Sequence, residues 1–188
     1  MSSQSAKNEP VPVGCVNGRF QPPHNGHLEY IKAAKDCCDF LWIGITQYDL
    51  LKKKDCVVAP HRSEASANPL TYYERIGLLS KMLLAEGIAD NSFGFVPFPI
   101  DDPDHLSQFV PTDVICFTTI YEEWNREKIQ LLEDRGYNVR VLWERKLDAK
   151  LFSGGKIRDA IRKGDSKWEK SVPAAILSDI KKTHIELR

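Results

Sequence analysis

The sequence carries no surplus of either charge: 26 basic and 26 acidic residues among 188 give a formal net charge of zero at neutral pH. That balance argues against a dedicated nucleic-acid binder, whose surface is normally basic. It leaves room for a local basic pocket. Long apolar runs are also missing, and no stretch approaches the roughly 20 residues of a membrane-spanning helix. Residues 1–10 are polar and Ser-rich, lack the apolar segment of a signal peptide, and read as a disordered tail. The five cysteines have no paired spacing, and their odd count suits reduced, structural thiols in a cytoplasmic protein. Two glycine patterns are absent as well. The segment after the first expected strand is not G-x-G-x-x-G, so the fingerprint of a nicotinamide-dependent dehydrogenase is lacking. Nor is it G-x-x-x-x-G-K-S/T, which excludes a P-loop nucleotidase.

Hydrophobic residues make up 42% of the chain, enough for one core of ordinary size. Strand-like and helix-like segments alternate. Val13–Asn17, Phe40–Ile45, Phe93–Pro99, Val114–Thr118 and Asn138–Leu142 read as strands. His27–Cys38, Tyr72–Glu86 and Glu122–Arg135 read as the helices between them, with Thr71 and Glu74 forming a capping box and Gly87 and Gly136 as stops. The long polar stretch from Gln47 to Pro69 reads as a functional or mobile loop. The pattern predicts an α/β fold: a Rossmann-like, doubly wound, mainly parallel sheet over 11–150 with helices on both faces. Residues 151–188 add C-terminal helices, the first opening at Ser153 and closing at Gly164, the second over Val172–Lys182 with Pro173 in its first turn. The whole of 11–188 reads as a single domain.

The most informative segment is Gly18-Arg19-Phe20-Gln21-Pro22-Pro23-His24-Asn25-Gly26-His27, at the crossing from the first strand to the first helix. A helix N-terminus there presents N–H groups and the positive end of its dipole, which suits phosphate. Imidazoles at His24 and His27 can donate to phosphoryl oxygens as charge develops. Gly26 allows close backbone approach, and Arg19 offers a planar, bidentate grip. A zinc site lacks further ligands at matching spacing. A second anion-binding helix start is visible at Ser153-Gly154, with Arg158 five residues on and long enough to reach back.

On these residues the chain resembles the HxGH nucleotidyltransferase superfamily, and within it the archaeal-type nicotinamide mononucleotide (NMN) adenylyltransferases. Asn68-Pro69-Leu70-Thr71-Tyr72-Tyr73-Glu74-Arg75 resembles that branch's N-P-F-T-x-x-E-R. Ser153-Gly154-Gly155-Lys156-Ile157-Arg158 resembles its S-G-T-E-I-R, and Trp168-Glu169 with Val172-Pro173 its W-E-x-x-V-P. The resemblance implies catalytic roles for His24, His27 and Arg158. It places Gly18, Arg19, Phe20, Gly26, Ser153, Gly154 and Ile157 against the substrates. It further implies ATP as donor with Mg²⁺, transfer of the adenylyl group to NMN or nicotinate mononucleotide, release of pyrophosphate, and a homo-oligomer. No metal-ligating protein residue is expected, since the ion is held by phosphate and water. No nucleic acid and no membrane partner is expected.

The departures bear on the acceptor. Gly155 and Lys156 replace the Thr and Glu of the branch's motif, and Thr118-Thr119-Ile120 stands where it has S-G-N. The Trp that stacks on the pyridine is missing from Asp101–Val110; Phe109 or Trp124 are the candidate substitutes. The alternatives are another phosphorylated or phosphonate acceptor, CTP as donor, or a non-catalytic nucleotide-sensing module. Lys52-Lys53-Lys54, His61 and Arg62 read as a solvated charge run or as a cover for anionic substrates. Arg75 is expected in a structural ion pair or facing the acceptor's phosphate.

Overall fold

The computed structural model describes residues 9–50, 65–149, 152–183 and 185. Five strands form one sheet, β1 (Val11–Gly18), β2 (Cys38–Ile45), β3 (Phe93–Pro97), β4 (Ile115–Ile120) and β5 (Val139–Glu144), in the order β3-β2-β1-β4-β5. Every neighbouring pair is parallel. The helices are α1 (Asn25–Lys35), α2 (Tyr72–Ala85), α3 (Glu123–Glu133), α4 (Gly154–Arg162) and α5 (Ala174–Lys182). This is the Rossmann-like α/β fold that the alternating pattern predicts.

Strand alternation divides the core. Val16, Leu41, Ile43 and Phe117 point to one face, where they meet Ile31 and Ala34 of α1, Leu79, Met82 and Leu83 of α2, and Ile176 and Ile180 of α5. Cys15, Cys116, Phe98, Leu106, Val110 and Leu132 pack on the other. Each Val, Leu, Ile, Phe or Met side chain among them, taken fully out of water, contributes about 1.5–3 kcal/mol of hydrophobic stabilisation. The C-terminal helices therefore belong to the core: Trp168 and Val172 of the last motif are buried in it.

The helix ends follow local chemistry. Thr71 and Glu74 cap α2 reciprocally, Glu74 N donating to Thr71 Oγ1 (3.2 Å) and Thr71 N to Glu74 Oε2 (2.8 Å). Gly87, Gly136 and Gly164 all take positive φ where α2, α3 and α4 stop. Helix α1 begins earlier than its hydrophobic spacing predicts, because His24 serves as its N-cap. Cys38 then leaves the helix and opens β2. Pro173 is likewise the N-cap of α5 and not a first-turn residue. Asp101–Asp104 leads into a short 3₁₀ turn over Pro103–Gln108.

Cys15, Cys38 and Cys116 are buried and Cys37 is half-buried, all four as free thiols. Burial pushes the Cys38 thiol up to about 11, so it stays protonated and packs as an apolar group. The expected cationic run at Lys52-Lys53-Lys54, His61 and Arg62 lies outside the described residues. Among the described residues no helix is long and apolar enough to cross a membrane.

Candidate active site

The sheet turns outward in two directions from its centre: β1 to β2 and β3 on one side, β4 and β5 on the other. The crevice beyond the carboxyl ends of β1 and β4 is the switch point where ligands bind in such sheets. A cavity of about 1060 Å³ opens there. Gly18, Arg19, Phe20, His24, Gly26, His27, Ser153, Gly154 and Arg158 all line it. The structure thus brings both predicted phosphate-binding helix starts to one cavity. Ile157 is the exception and corrects the expectation. Its side chain is buried in the core, and its N–H is bonded to the Ser153 carbonyl, so neither reaches the cavity.

The two histidines form a unit. Their rings stack at 3.6 Å between centroids and 19° between planes. His24 Nδ1 accepts from the His27 backbone N–H at 3.3 Å, which caps the helix. An accepting Nδ1 places the proton of a neutral His24 on Nε2, the donor a phosphoryl oxygen needs. His27 rests edge-on against Phe20 at 4.8 Å. Phe20 itself is fully buried, with φ of 53°, a left-handed conformation that costs a non-glycine residue about 1 kcal/mol or more. Its ring seats His27 at the wall of the cavity.

At the second helix start, Ser153 makes no capping bond with its hydroxyl. That hydroxyl and the first-turn N–H groups of α4 remain open to an anion. Arg158 reaches back along the helix and donates from Nη1 to the Gln21 carbonyl at 2.5 Å. Its Nε has no partner among the described residues. Burial, with Arg162 second, lowers the Arg158 pKa, so an anion beside it relieves both costs. Lys156 is exposed and turns away to solvent.

Gly154 is where the two loops touch. A Cβ there would sit 2.7 Å from the Gln21 backbone oxygen, which cannot yield as a side chain does. Gly154→Ala is therefore expected to push the α4 start off its seat and lower kcat/KM roughly tenfold, a displacement of tenths of an ångström being enough. Steady-state kinetics beside an unchanged circular dichroism spectrum checks this.

The second motif braces the first. The Gln21 amide exchanges two hydrogen bonds with Leu70, donating to its carbonyl at 2.8 Å and accepting from its N–H at 2.9 Å. Arg75 is fully buried and donates to the carbonyls of Thr71, Arg19, Thr46 and Gln47. Among the described residues it meets carbonyl oxygens and neither a carboxylate nor the cavity, which corrects both readings made of it. The last motif is tied in similarly, Asn25 Nδ2 donating to the Lys170 carbonyl at 3.0 Å.

The aromatic side chains are unevenly placed. Tyr121, Trp124 and Trp143 line the β4–β5 side of the cavity. Trp124 Nε1 donates to Glu122 and Trp143 Nε1 to the Tyr121 hydroxyl. Phe109 is not among the lining residues; it packs with Tyr48 and the core. Asn17, Lys128 and Trp143 also line the cavity without standing out in the sequence, whereas Thr118 belongs to the segment that replaces the branch's S-G-N. Their signal was position: each strand residue among them lies at the carboxyl end of a parallel strand, where ligands bind.

The cytidylyltransferase-like family model matches residues 15–160. The chain belongs to that family and is a nucleotidyltransferase. This member is 35% identical over 94% of both chains to a phosphonoformate cytidylyltransferase of Streptomyces viridochromogenes. It is 28% identical to a nicotinamide-nucleotide adenylyltransferase of Caldivirga maquilingensis, over 89% of this chain and 88% of that one. Its fold matches a bifunctional NMN adenylyltransferase/ADP ribose pyrophosphatase from Francisella tularensis with a TM-score of 0.66 at 14% identity. That match covers 94% of this chain and 52% of the other, so this cytidylyltransferase-like chain spans about half of the bifunctional one.

Proposed function

We propose that this nucleotidyltransferase carries the nucleotidyl group of CTP to a small phosphonate or phosphomonoester that bears no aromatic ring, releasing pyrophosphate. The observation that carries this is the one-sided placement of the rings. A pyridine dinucleotide has two flat bases to hold. The β2–β3 side of the cavity is lined by Thr46, Gln47, Ile100, Asp101 and Pro103, with no aromatic side chain among the described residues. The β4–β5 side carries Tyr121, Trp124 and Trp143, rings on which one base can stack. The name of the Streptomyces relative supports the phosphonate and the CTP.

The chemistry asks little of the protein beyond positioning. An acceptor phosphate with a second pKa near about 6 is already largely dianionic at neutral pH. Its oxygen attacks the α-phosphorus in line, the bond to the bridging oxygen breaks, and pyrophosphate leaves with the electron pair. His24 Nε2, His27, Arg158 and the starts of α1 and α4 would hold the phosphates and meet the charge that builds on them. Mg²⁺ would enter with the triphosphate and neutralise its oxygens. The donor set fits that role, because neither 18–27 nor 153–158 contains Asp or Glu.

Adenylyl transfer to NMN or nicotinate mononucleotide is the second reading. It is favoured by the archaeal relatives and by Trp124, which lines the cavity. Pyrophosphate release with CTP or ATP against a panel of phosphonates, phosphomonoesters and NMN separates the two. The expected result is turnover with CTP and a ring-free acceptor at least tenfold above ATP with NMN. The reverse ranking overturns the proposal. Nucleotide binding without pyrophosphate from any acceptor would favour the sensing module.

A further inference from the structure

Asn17 and Thr118 lie two positions beyond Cys15 and Cys116, which are partners in the β1–β4 ladder. Both are buried at the switch point, 8% and 1% exposed, and both line the cavity. Lys128 comes down from α3 and donates to Asn17 Oδ1 at 3.4 Å. Its ammonium is 5.8 Å from the centre of the Trp124 ring. Asn17 Nδ2 and the Thr118 hydroxyl have no partner among the described residues. The nearby Tyr30 hydroxyl already donates to the Phe117 carbonyl at 2.6 Å. Buried donors left unmade cost free energy, so the group that enters here is rich in acceptors.

The triphosphate is not that group, since on the proposed function it lies at the start of α1, which follows β1, and at the start of α4 with Arg158, which follow β5. What remains beside Trp124 is a base. A base edge with two adjacent acceptors matches two adjacent donors. Cytosine has such an edge in its ring carbonyl O2 and N3; guanine has one in O6 and N7, so the paired donors separate cytosine from adenine and from uracil, whose N3 carries a proton. Adenine does not: N1 and N7 each lie beside an amino donor, and N3 lies between a C–H and the glycosidic nitrogen.

We propose that Lys128, together with the Asn17 amide, selects the donor nucleotide by donating to the carbonyl edge of cytosine. The inference rests on the CTP part of the proposed function and adds the residues that would enforce it. Lys128 on this view is a specificity residue and touches no reacting atom.

Titration calorimetry of the full chain with CTP, ATP, UTP and GTP, without acceptor, tests it. The wild type is expected to bind CTP at least tenfold more tightly than ATP and UTP, with GTP as the control whose O6 and N7 offer the same pair of acceptors. Lys128→Met is expected to weaken CTP by roughly 10–100-fold, the scale of a charged hydrogen bond, and ATP by less than about threefold. Lys128→Gln, which keeps a neutral donor, should recover part of the CTP loss and serves if the Met variant folds poorly. Equal losses for CTP and ATP would assign Lys128 to ribose or phosphate and overturn the inference. So would unchanged CTP binding, or ATP or UTP bound as tightly as CTP. Because no acceptor is present, these outcomes are independent of the acceptor, whose failure would appear only in the pyrophosphate assay.

Discussion

His27→Ala is expected to lower kcat by about a hundredfold or more while leaving KM for the nucleotide within about threefold, the scale of losing a preorganised transition-state donor. The imidazole is held from two sides, by the stacked His24 ring and by the edge of Phe20, so it is oriented before any substrate arrives. Preorganisation matters because negative charge grows on the phosphoryl oxygens only as the new bond forms. A donor already aimed there acts on the transition state and little on the bound nucleotide. His24 is less clean to test, since its removal also uncaps α1. His27→Asn keeps a donor of shorter reach and should fall between Ala and wild type. A rise in KM with kcat unchanged would mean that His27 grips the ground state only.

Much of this site was legible because it is local. The segment 18–27 and the helix start at Ser153 each carry their chemistry within ten residues, so spacing alone reveals them. Their meeting in one cavity is not local. It depends on Gly154 lying against the Gln21 carbonyl, across more than 130 positions of sequence. The strands were legible from apolar runs, but their ends were not. β5 continues to Glu144 because Trp143 and Glu144 pair with Thr119 and Ile120 across a shift in register, a partner the local sequence does not name. That extra length sets Trp143 at the cavity. Ile157 misled for a related reason: its motif position suggested contact with substrate, while the helical period turns it inward beside Arg158.

The largest effect on stability is expected at Arg75. A guanidinium with no exposed surface is costly to bury, and burial lowers its pKa to about 10, still protonated at neutral pH. Paired against a carboxylate it would be an ordinary buried ion pair, replaceable by a well-packed apolar side chain at little cost. Here it instead joins carbonyls from segments far apart in sequence: Arg19 after β1, Thr46 and Gln47 after β2, and Thr71 at the cap of α2. Thr71 keeps its helical bond from the Arg75 N–H when the side chain is lost. The carbonyls of Arg19, Thr46 and Gln47 would lose the donor that Arg75 gives them. At about 1 kcal/mol or more for each abandoned acceptor, Arg75→Met should cost about 3 kcal/mol and lower Tm by roughly 10 °C. Urea unfolding with an unchanged m-value would measure the loss. Arg75→Lys should recover only a minor share, since one ammonium cannot span four carbonyls in a fixed plane. Because one of those carbonyls belongs to Arg19, the residue beside the cavity, kcat/KM should fall along with stability. An Arg75→Met protein as stable as wild type would mean that β1, β2 and α2 hold this corner together without the guanidinium.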